Sequence, residues 1–340
     1  MALDPQIQHL DLMKNILPAD RMEKGGDLAA WQSEKRALLA ELLGMQHCIP
    51  AEADHFTIEH VKELDNCTET CFSFESEPGV TVLAYLRVPK DATGKLPVII
   101  CLQGHAKGVH ISLGQPLYPG DEETIHGGDR DFAVQIISRG QAALAIEQRG
   151  FGTRGGSPEG PQCYQPAVQA MLLGRTLIGE RCWDISRTID LLPKYFPQLD
   201  TARIAVMGNS GGGTASIYAA ALDERIAACM PSCALCGFMP SIGAQYHCLC
   251  NYIPGIMKHF DMGDLAGLIA PRPFIAINGL TDGIFPIDSA KEQAAIAQSV
   301  YYAAANAEAN LRHITGPEGH RFYAALGWPA FDELTGWKEN

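Results

Sequence analysis

The segment 208–212, Gly-Asn-Ser-Gly-Gly, places one serine hydroxyl between glycines, a pattern typical of a serine that acts as a nucleophile. The apolar run 203–207 before it predicts a strand, and the small residues of 213–218 predict a helix after it. A serine at such a junction adopts a strained backbone, and side chains two residues before or after it would collide. We therefore interpret Ser210 as a candidate nucleophile and the N–H of Gly211 as a donor to the oxyanion that its attack would create.

A serine nucleophile needs a base, and that base needs a carboxylate to orient it. Asp282 follows a short apolar run that predicts a strand, which places its carboxylate at the end of that strand. Asp288 is the alternative, but it begins the next predicted helix, where aspartate commonly acts as an N-cap or a partner of the helix dipole. For the base, His320 lies in a glycine-containing loop, whereas His313 lies within an apparent strand and is expected to be structural. We predict that Asp282 and His320 complete a triad.

A second oxyanion donor is expected where the predicted strand 96–102 ends, because Gln103, Gly104 and His105 follow it directly. We predict that the N–H of His105 is this donor and that the side chain of Gln103 contacts substrate. The alternative is that Gly104 only terminates the strand. With these donors, the predicted triad would carry out acyl transfer through an acyl-enzyme that water hydrolyses.

The elements that must position these groups form an α/β pattern. Short apolar strands alternate with helices from residue 96 onward, which predicts a mostly parallel sheet covered by helices on both faces. Predicted strands lie at 96–102, 142–146, 204–207, 226–230 and 273–277, and predicted helices near 130–139, 182–193, 211–222 and 287–305. We expect one domain over 1–340, in which a helical and β-hairpin extension, 1–75, precedes a catalytic core, 76–335.

Three long insertions follow the carboxyl ends of predicted strands, at 105–128, 150–180 and 234–263. Open α/β sheets bind their ligands at this edge, so the insertions are expected to form the walls of a pocket. The further side chains that we predict to contact substrate lie in or beside them and are Arg149, Tyr164, His247 and Tyr252. For Arg149, an equal alternative is that it holds the glycine-rich loop that follows it.

Composition limits the classes of function. The 340 residues carry a net charge of −13 without a basic cluster, which argues against binding of nucleic acid or an anionic membrane. The sequence contains no apolar run long enough to span a bilayer and begins without a secretory signal, so we expect a cytoplasmic protein unless a signal has been removed. A small-molecule or oligosaccharide ester is the expected partner, and a homo-oligomer is compatible with the sequence.

Eleven cysteines are many for such a chain. Cys233 and Cys236, with Cys248 and Cys250, can be interpreted as a zinc site, a disulfide or free buried thiols. Cys-x-Cys is not the usual chelating spacing, and the expected compartment disfavours a disulfide. We expect free buried thiols, no bound metal and no cofactor.

Several motifs together resemble those of acetyl xylan esterases and dienelactone hydrolases, a branch of the α/β-hydrolase superfamily, over residues 75–325. They are the segments 103–105, 148–152, 208–213 and 221–226 and, as the most specific, 247–255 and 269–273. The resemblance implies an α/β-hydrolase fold and hydrolysis of carboxylic esters, often acetyl groups on plant polysaccharides or their oligomers, without a metal. Two residues depart from the pattern: Gln103 stands where relatives commonly have histidine, and Asn209 replaces a small or apolar residue.

The leading hypothesis is a serine esterase that removes acetyl or another small acyl group from carbohydrate such as xylo-oligosaccharides. A general carboxylesterase or a dienelactone-type hydrolase acting on small non-sugar esters is the alternative, although dienelactone hydrolases have a cysteine where this chain has Ser210. A hydrolase fold retained as a non-catalytic binding protein is a third hypothesis. The intact set of Ser210, Asp282 and His320 argues against it.

Overall fold

A nine-stranded sheet runs through the protein in a computed structural model that describes residues 3–338. The spatial order is β1-β2-β3-β5-β4-β6-β7-β8-β9. The strands are β1 (Thr57–Glu63), β2 (Cys67–Glu77), β3 (Val80–Pro89), β4 (Leu96–Leu102), β5 (Ala142–Ile146), β6 (Leu199–Asn209), β7 (Ile226–Ser232), β8 (Phe274–Gly279) and β9 (Leu311–Gly316). The first three strands pair antiparallel, and all pairs among β4 to β9 are parallel. The predicted α/β class with a mostly parallel sheet is confirmed.

Helices cover both faces of this sheet. They are α1 (Pro5–Met13), α2 (Leu28–Leu42), α3 (Asp121–His126), α4 (Phe132–Ile137), α5 (Tyr164–Leu172), α6 (Leu177–Tyr195), α7 (Gly211–Leu222), α8 (Ile256–His259), α9 (Met262–Ile269), α10 (Ile287–Ile296) and α11 (Ala324–Thr335). Across residues 3–338, no helix combines the length and the apolar character that crossing a membrane requires.

The central strand β4 shows why its sequence is apolar throughout. Val98 and Ile100 face the core that α2, α6, α7 and α9 complete, whereas Ile99 and Cys101 pack on the other face against α4 and α11. Every residue of the strand is therefore buried. A continuous apolar run is the pattern expected of a parallel strand covered on both sides.

The carboxyl ends of the parallel strands meet at one edge of the sheet. Leu102 at the end of β4 pairs with Gly208 of β6, and Gly279 at the end of β8 pairs with Gly316 of β9. The loops that follow these strands therefore leave the sheet side by side. Together with the first residue of α7, they carry all the residues predicted to form the triad and the oxyanion hole.

Five helices have no counterpart among the predicted elements, namely α3, α5, α8, α9 and α11. All eight residues of α9 are buried, so its sequence lacks the polar face that would reveal a helical period. Helix α11 contains Gly327 and Pro329, residues that normally argue against a helix interior. The predicted helix 287–305 is divided into α10 and a π-helical segment, Ala297–Tyr302.

Candidate active site

Ser210 lies at the sharp turn between β6 and α7, with φ 57° and ψ −122°. This is a strained conformation for a residue with a side chain. A Cβ on Gly208 would lie 2.5 Å from the carbonyl carbon of Gly212, and a Cβ on Gly212 would overlap the carbonyl oxygen of Leu102. The Ser210 N–H donates to the carbonyl of Ser232 at 2.8 Å, which ties the turn to β7. The two glycines are thus sterically required, as the sequence pattern predicts.

A histidine–carboxylate pair forms the second part of the site. His320 Nδ1 lies 2.8 Å from Asp282 Oδ2, while Oδ1 accepts hydrogen bonds from the N–H groups of Ile284 (2.9 Å) and Phe285 (3.2 Å). Burial alone would raise the pKa of Asp282, but the hydrogen bond and charge of His320, with the two N–H donors, hold it below its ordinary value. Because an ionised carboxylate only accepts hydrogen bonds, Nδ1 carries the proton and Nε2 is left to accept one.

The alternative base, His313, and the alternative carboxylate, Asp288, both lie outside this pair. His313 is within β9, where its Nε2 is 3.2 Å from Asn278 Oδ1, and burial lowers its pKa to about 4. Asp288 is in the first turn of α10. A carboxylate at that position interacts favourably with the helix dipole. Neither residue takes part in the His320–Asp282 pair.

A cavity of about 930 Å³ opens over Ser210. Phe285 connects the two parts of the site, because it lines this cavity and its ring stacks on His320 with centroids 5.8 Å apart. The cavity is lined by His105, Arg154, Gly155, Pro161, Gln162, Cys163, Tyr164, Gln165, Pro166, Ser210, Gly211, Tyr246, His247, Cys248, Leu249, Asn251, Ile284 and Phe285. Its walls therefore come from the insertions predicted at 150–180 and 234–263, together with the ends of the strands.

The loop after β4 lies against the turn that holds Ser210. A Cβ on Gly104 would lie 3.2 Å from the Cβ of Ser210, and a Cβ on Gly211 would lie 2.6 Å from His105 Nδ1. The structure thus brings the two residues predicted as oxyanion donors, His105 and Gly211, into contact with each other next to the turn that holds the serine.

Gln103 is buried beneath this loop and does not line the cavity. Its Nε2 donates to Glu147 Oε1 at 2.8 Å, and the same carboxylate oxygen accepts from the N–H of Val109 at 3.1 Å. Burial raises the pKa of Glu147 to about 7 despite these donors. The side chain predicted to contact substrate instead anchors the loop to a buried carboxyl group.

The raised pKa of Glu147 has a consequence for stability. The ordinary pKa is 4.5 and the folded value is about 7, so the native state keeps a proton that the unfolded chain has lost. This contribution is fully present below about pH 4.5 and is lost as the pH rises through about 7. In Glu147→Gln, we expect the fall in the free energy of unfolding between about pH 5 and 8 to shrink by roughly 1–3 kcal/mol. Urea denaturation of both proteins across that range measures it, and parallel pH profiles would contradict the prediction.

Arg149 lies in a buried network of charges and does not line the cavity. Its guanidinium pairs with Asp184 at 2.8 Å, Glu77 at 2.9 Å and Glu180 at 3.1 Å. Arg154 joins the network through Asp184 at 2.7 Å. This is the placement expected if Arg149 holds the loop that follows β5, the alternative raised by the sequence.

Arg149→Met should therefore destabilise the fold and leave the chemistry intact. Removing Arg149 leaves the three buried carboxylates with Arg154 and Arg175 as their remaining cationic partners, and removing one partner from a buried ion pair typically costs about 3–5 kcal/mol. We expect a loss of that size in chemical denaturation, with kcat/KM of the remaining folded protein within about twofold of the original. Arg312→Met is the matched control, since its partner Glu333 is exposed and the pair should contribute about 0–1 kcal/mol. A stable Arg149→Met protein with a raised KM would instead favour contact with substrate.

Of the remaining three residues predicted to contact substrate, two line the cavity and one does not. Tyr164 and His247 line the cavity, and His247 Nε2 lies 3.0 Å from Ser241 Oγ. Tyr252 lies outside it, and its hydroxyl donates to the carbonyl of Ile242 at 3.0 Å. Tyr246 also lines the cavity and was not predicted to contact substrate. Its position in an insertion, beside His247, could have indicated this from the sequence.

Arg130 is another residue that the sequence did not single out. Its Nε donates to Asn209 Oδ1 at 3.2 Å, and its Nη2 donates to the backbone carbonyl of His320 at 3.0 Å. It thereby joins the residue before the candidate nucleophile to the loop that carries the candidate base. Asn209, an unusual residue at its position, supplies the acceptor that this connection needs.

The four cysteines considered together in the sequence lie in two different clusters. Cys233 and Cys236 pack with Phe285, whereas Cys248 and Cys250 pack with Cys163 and the residues around it. The grouping suggested by their spacing is therefore wrong, because the turn after β7 and the loop before α8 direct the two pairs to different places. All eleven cysteines are unpaired.

The chain is similar in sequence to an esterase family model and to a protein named as a hydrolase. A family model described as glucuronyl esterase, fungi, matches residues 176–239, a segment that includes Ser210. YtaP of Bacillus subtilis (strain 168), a protein provisionally named a hydrolase, is 28% identical over 322 residues, which cover 90% of this chain and 99% of YtaP.

Solved esterase structures share the fold. A Bacteroides fragilis NCTC 9343 protein, provisionally named an acetyl xylan esterase, superposes with a TM-score of 0.78 at 16% identity, over 98% of this chain and 90% of its own. A glucuronoyl esterase from Solibacter usitatus gives a TM-score of 0.68 at 15% identity, over 93% and 95% of the two chains. The chain has the α/β-hydrolase fold, and its predicted resemblance to the acetyl xylan esterase branch is confirmed at the level of the fold.

Proposed function

We propose that this protein is a serine carboxylic ester hydrolase that removes acetyl or another small acyl group from a carbohydrate such as a xylo-oligosaccharide. The observation that carries the proposal is the His320–Asp282 pair, because Phe285 stacks on His320 and lines the same cavity as the strained Ser210. Similarity to acetyl xylan and glucuronoyl esterases supports the choice of a carbohydrate ester.

In the first half of the reaction, Ser210 Oγ attacks the ester carbonyl while His320 Nε2 takes the serine proton. Asp282 holds the imidazole in the required tautomer and stabilises the imidazolium that forms. The N–H groups of Gly211 and His105 stabilise the oxyanion. Collapse of the tetrahedral intermediate breaks the bond to the sugar oxygen, which leaves with the proton from His320. Water, activated by the same imidazole, then attacks the acyl-enzyme and releases the acid.

The cavity wall supports a sugar as the alcohol part of the ester. Tyr164 and Tyr246 are 70% and 96% exposed, so their rings offer flat apolar faces with a polar edge for stacking on a sugar ring. Gln162 and Asn251 supply neutral hydrogen-bonding groups for hydroxyls. Arg154 also lines the wall, but its guanidinium is already paired with Asp184. A neutral oligosaccharide suits this wall better than a substrate with an added carboxylate.

A second candidate is hydrolysis of glucuronoyl esters, which the match of the glucuronyl esterase model to residues 176–239 favours. The two candidates place the sugar on opposite sides of the scissile bond. An acetyl esterase would leave an acetyl group on Ser210, whereas a glucuronoyl esterase would leave a uronoyl group there.

The experiment compares kcat/KM for acetylated xylo-oligosaccharides, a methyl glucuronoyl ester, an aryl acetate and a lactone. Quenching the reaction and measuring the mass of the Ser210 peptide then identifies the acyl group. We expect the acetylated oligosaccharide to be the best substrate and to leave an acetyl group. Faster turnover of the aryl acetate or lactone would defeat the carbohydrate assignment, and a uronoyl adduct would favour the second candidate. Failure of a fluorophosphonate to label Ser210 would return the protein to the non-catalytic class.

The two exposed tyrosines provide a test of the sugar-binding wall. Tyr164→Ala and Tyr246→Ala should each raise KM for acetylated oligosaccharides by about 3- to 10-fold, since an aromatic contact contributes about 0.5–1.5 kcal/mol. Hydrolysis of the small aryl acetate should change by less than about twofold, because it does not reach the rim. Tyr246→Phe keeps the ring and is the matched control. Equal losses on both substrates would indicate damage to the site itself.

We extend the proposal to a cytoplasmic location. Eleven unpaired cysteines in one chain are typical of a protein that works in a reducing compartment. A short oligosaccharide that can be imported fits this location better than an intact polymer.

A further inference from the structure

Four metal-ligating side chains from three separate segments converge beside the loop that follows β4. They are His105, Cys163, Cys248 and Cys250, and their ligand atoms all lie within 4.8 Å of one another. His105 Nε2 is 3.1 Å from Cys250 Sγ. We propose that these four residues bind one Zn²⁺ ion.

The geometry matches a tetrahedral site with four protein ligands. A Zn–S bond of about 2.3 Å places the sulfur atoms of a tetrahedral site about 3.8 Å apart, so small movements of these side chains suffice to close it. Three thiolates and one imidazole form a set used by structural zinc sites. With all four positions filled by protein, the ion would hold the loops together and would not bind the substrate.

The charge of a neighbouring arginine supports the same conclusion. Arg181 is 1% exposed, and its Nη1 and Nη2 lie 3.4 Å from Cys250 Sγ and 3.3 Å from Cys163 Sγ. Over residues 3–338, its other hydrogen bonds go to the backbone carbonyl of Arg149, so no carboxylate balances this buried cation. A Zn²⁺ ion with three thiolates and a neutral imidazole has a net charge of −1, which Arg181 would neutralise.

The cluster is buried but has an entry route. Cys163 and Cys250 are 2% and 1% exposed, but His105, Cys163 and Cys248 line the wall of the cavity over Ser210. A metal ion could therefore enter through the cavity, as a bindable site requires.

A second group of possible ligands lacks these properties. Cys233, Asp282 and His320 also have their ligand atoms within 4.8 Å. There, however, the carboxylate and the imidazole already bond to each other, and the Cys233 thiol donates to the carbonyl of Arg321 at 3.3 Å. Only the first group combines three thiols with an unbalanced cation.

Zinc at this position would fix the predicted oxyanion loop. The ring of His105 packs directly on Gly211, so a ligand bond at Nε2 would hold the imidazole, and with it the loop, against the turn of the nucleophile. The ion would then contribute to esterase activity through position and not through chemistry.

The test measures metal in the full-length protein purified under reducing conditions. After incubation with ZnCl₂ and dialysis against metal-free buffer, mass spectrometry should find about one zinc per chain. When cobalt is added to protein from which a chelator has removed the zinc, the absorption spectrum should show the intense near-ultraviolet bands of thiolate-to-metal charge transfer. It should also show the visible bands of tetrahedral cobalt. Cys163→Ser and Cys250→Ser should each weaken zinc binding at least about tenfold. Cys236→Ser, which changes a buried thiol of the other cluster, is the matched control and should retain the metal.

Three results would overturn the proposal. One is folded, reduced wild-type protein that takes up neither zinc nor cobalt. Another is unchanged metal binding in both Cys163→Ser and Cys250→Ser. The third is a disulfide among these cysteines together with no metal uptake after reduction, which would assign the cluster a redox role. If the serine variants do not fold, the cobalt spectrum of the wild-type protein still decides whether thiolates of this protein bind a metal ion in tetrahedral geometry.

Discussion

Ser210→Ala should lower kcat for ester hydrolysis by about 10⁵- to 10⁶-fold while the protein remains folded. In the proposed mechanism the hydroxyl forms the bond to the acyl group, so its loss would remove the covalent route entirely and leave only the oxyanion donors and the binding of substrate. Ser216→Ala is the matched control. Ser216 lies one and a half turns further along α7, where its hydroxyl donates to the carbonyl of Gly212, and its removal should change kcat by less than about twofold.

Two readouts make this result informative. The thermal transition of Ser210→Ala should match that of the wild-type protein, because the methyl group of alanine fits wherever the Cβ of serine fits. The double variant Ser210→Ala/His320→Ala should be about as slow as the single one, since the two residues act as a unit. Residual activity above about one tenth of wild type would mean that Ser210 is not the nucleophile.

Asp282→Asn should lower kcat by about 10⁴-fold with little change in KM. The amide oxygen can still accept from Ile284 and Phe285, as Oδ1 does now, so the loop should keep its shape. The amide nitrogen would replace Oδ2 beside His320 Nδ1 and can only donate a hydrogen bond. The histidine would then carry its proton on Nε2, the wrong nitrogen to receive the proton from the serine.

Asp288→Asn is the control for the alternative acid. Asp288 lies at the start of α10, and we expect its substitution to change kcat by less than about twofold and stability by about 0.3–1 kcal/mol. Steady-state kinetics on one ester, with the unfolding transition of each variant, measures both effects. The assignment is reversed if Asp288→Asn is the slower enzyme.

Much of the fold was accessible from the sequence because it depends on local pattern. The strands 96–102 and 142–146 and the helix 211–222 match β4, β5 and α7 residue for residue, since each is an unbroken apolar run or a run of small residues between turns. Two of the helices that escaped prediction carry contrary signals, as α9 has no polar face and α11 contains a proline.

The proposed triad was accessible for a related reason. Each of its residues lies within four residues of the end of a strand, so its position along the chain already implies its place at one edge of the sheet. The partners of Arg149 were not accessible, since Glu77 is 72 residues away in the sequence and only the folded sheet brings the charges together. Likewise, the sequence grouped Cys248 and Cys250 with the wrong cysteines because nothing in their spacing indicates Cys163 or His105.

The position of β9 has a consequence for how the enzyme would fail on heating. β9 is the outermost strand on its side of the sheet, and the loop that carries His320 follows it. A strand paired on one side only opens at a lower free-energy cost than the central strands. The working temperature of the enzyme would therefore be limited by local fraying of β9 and the loop that follows it. This fraying would occur at a lower temperature than the separation of the interior strands β4 and β6.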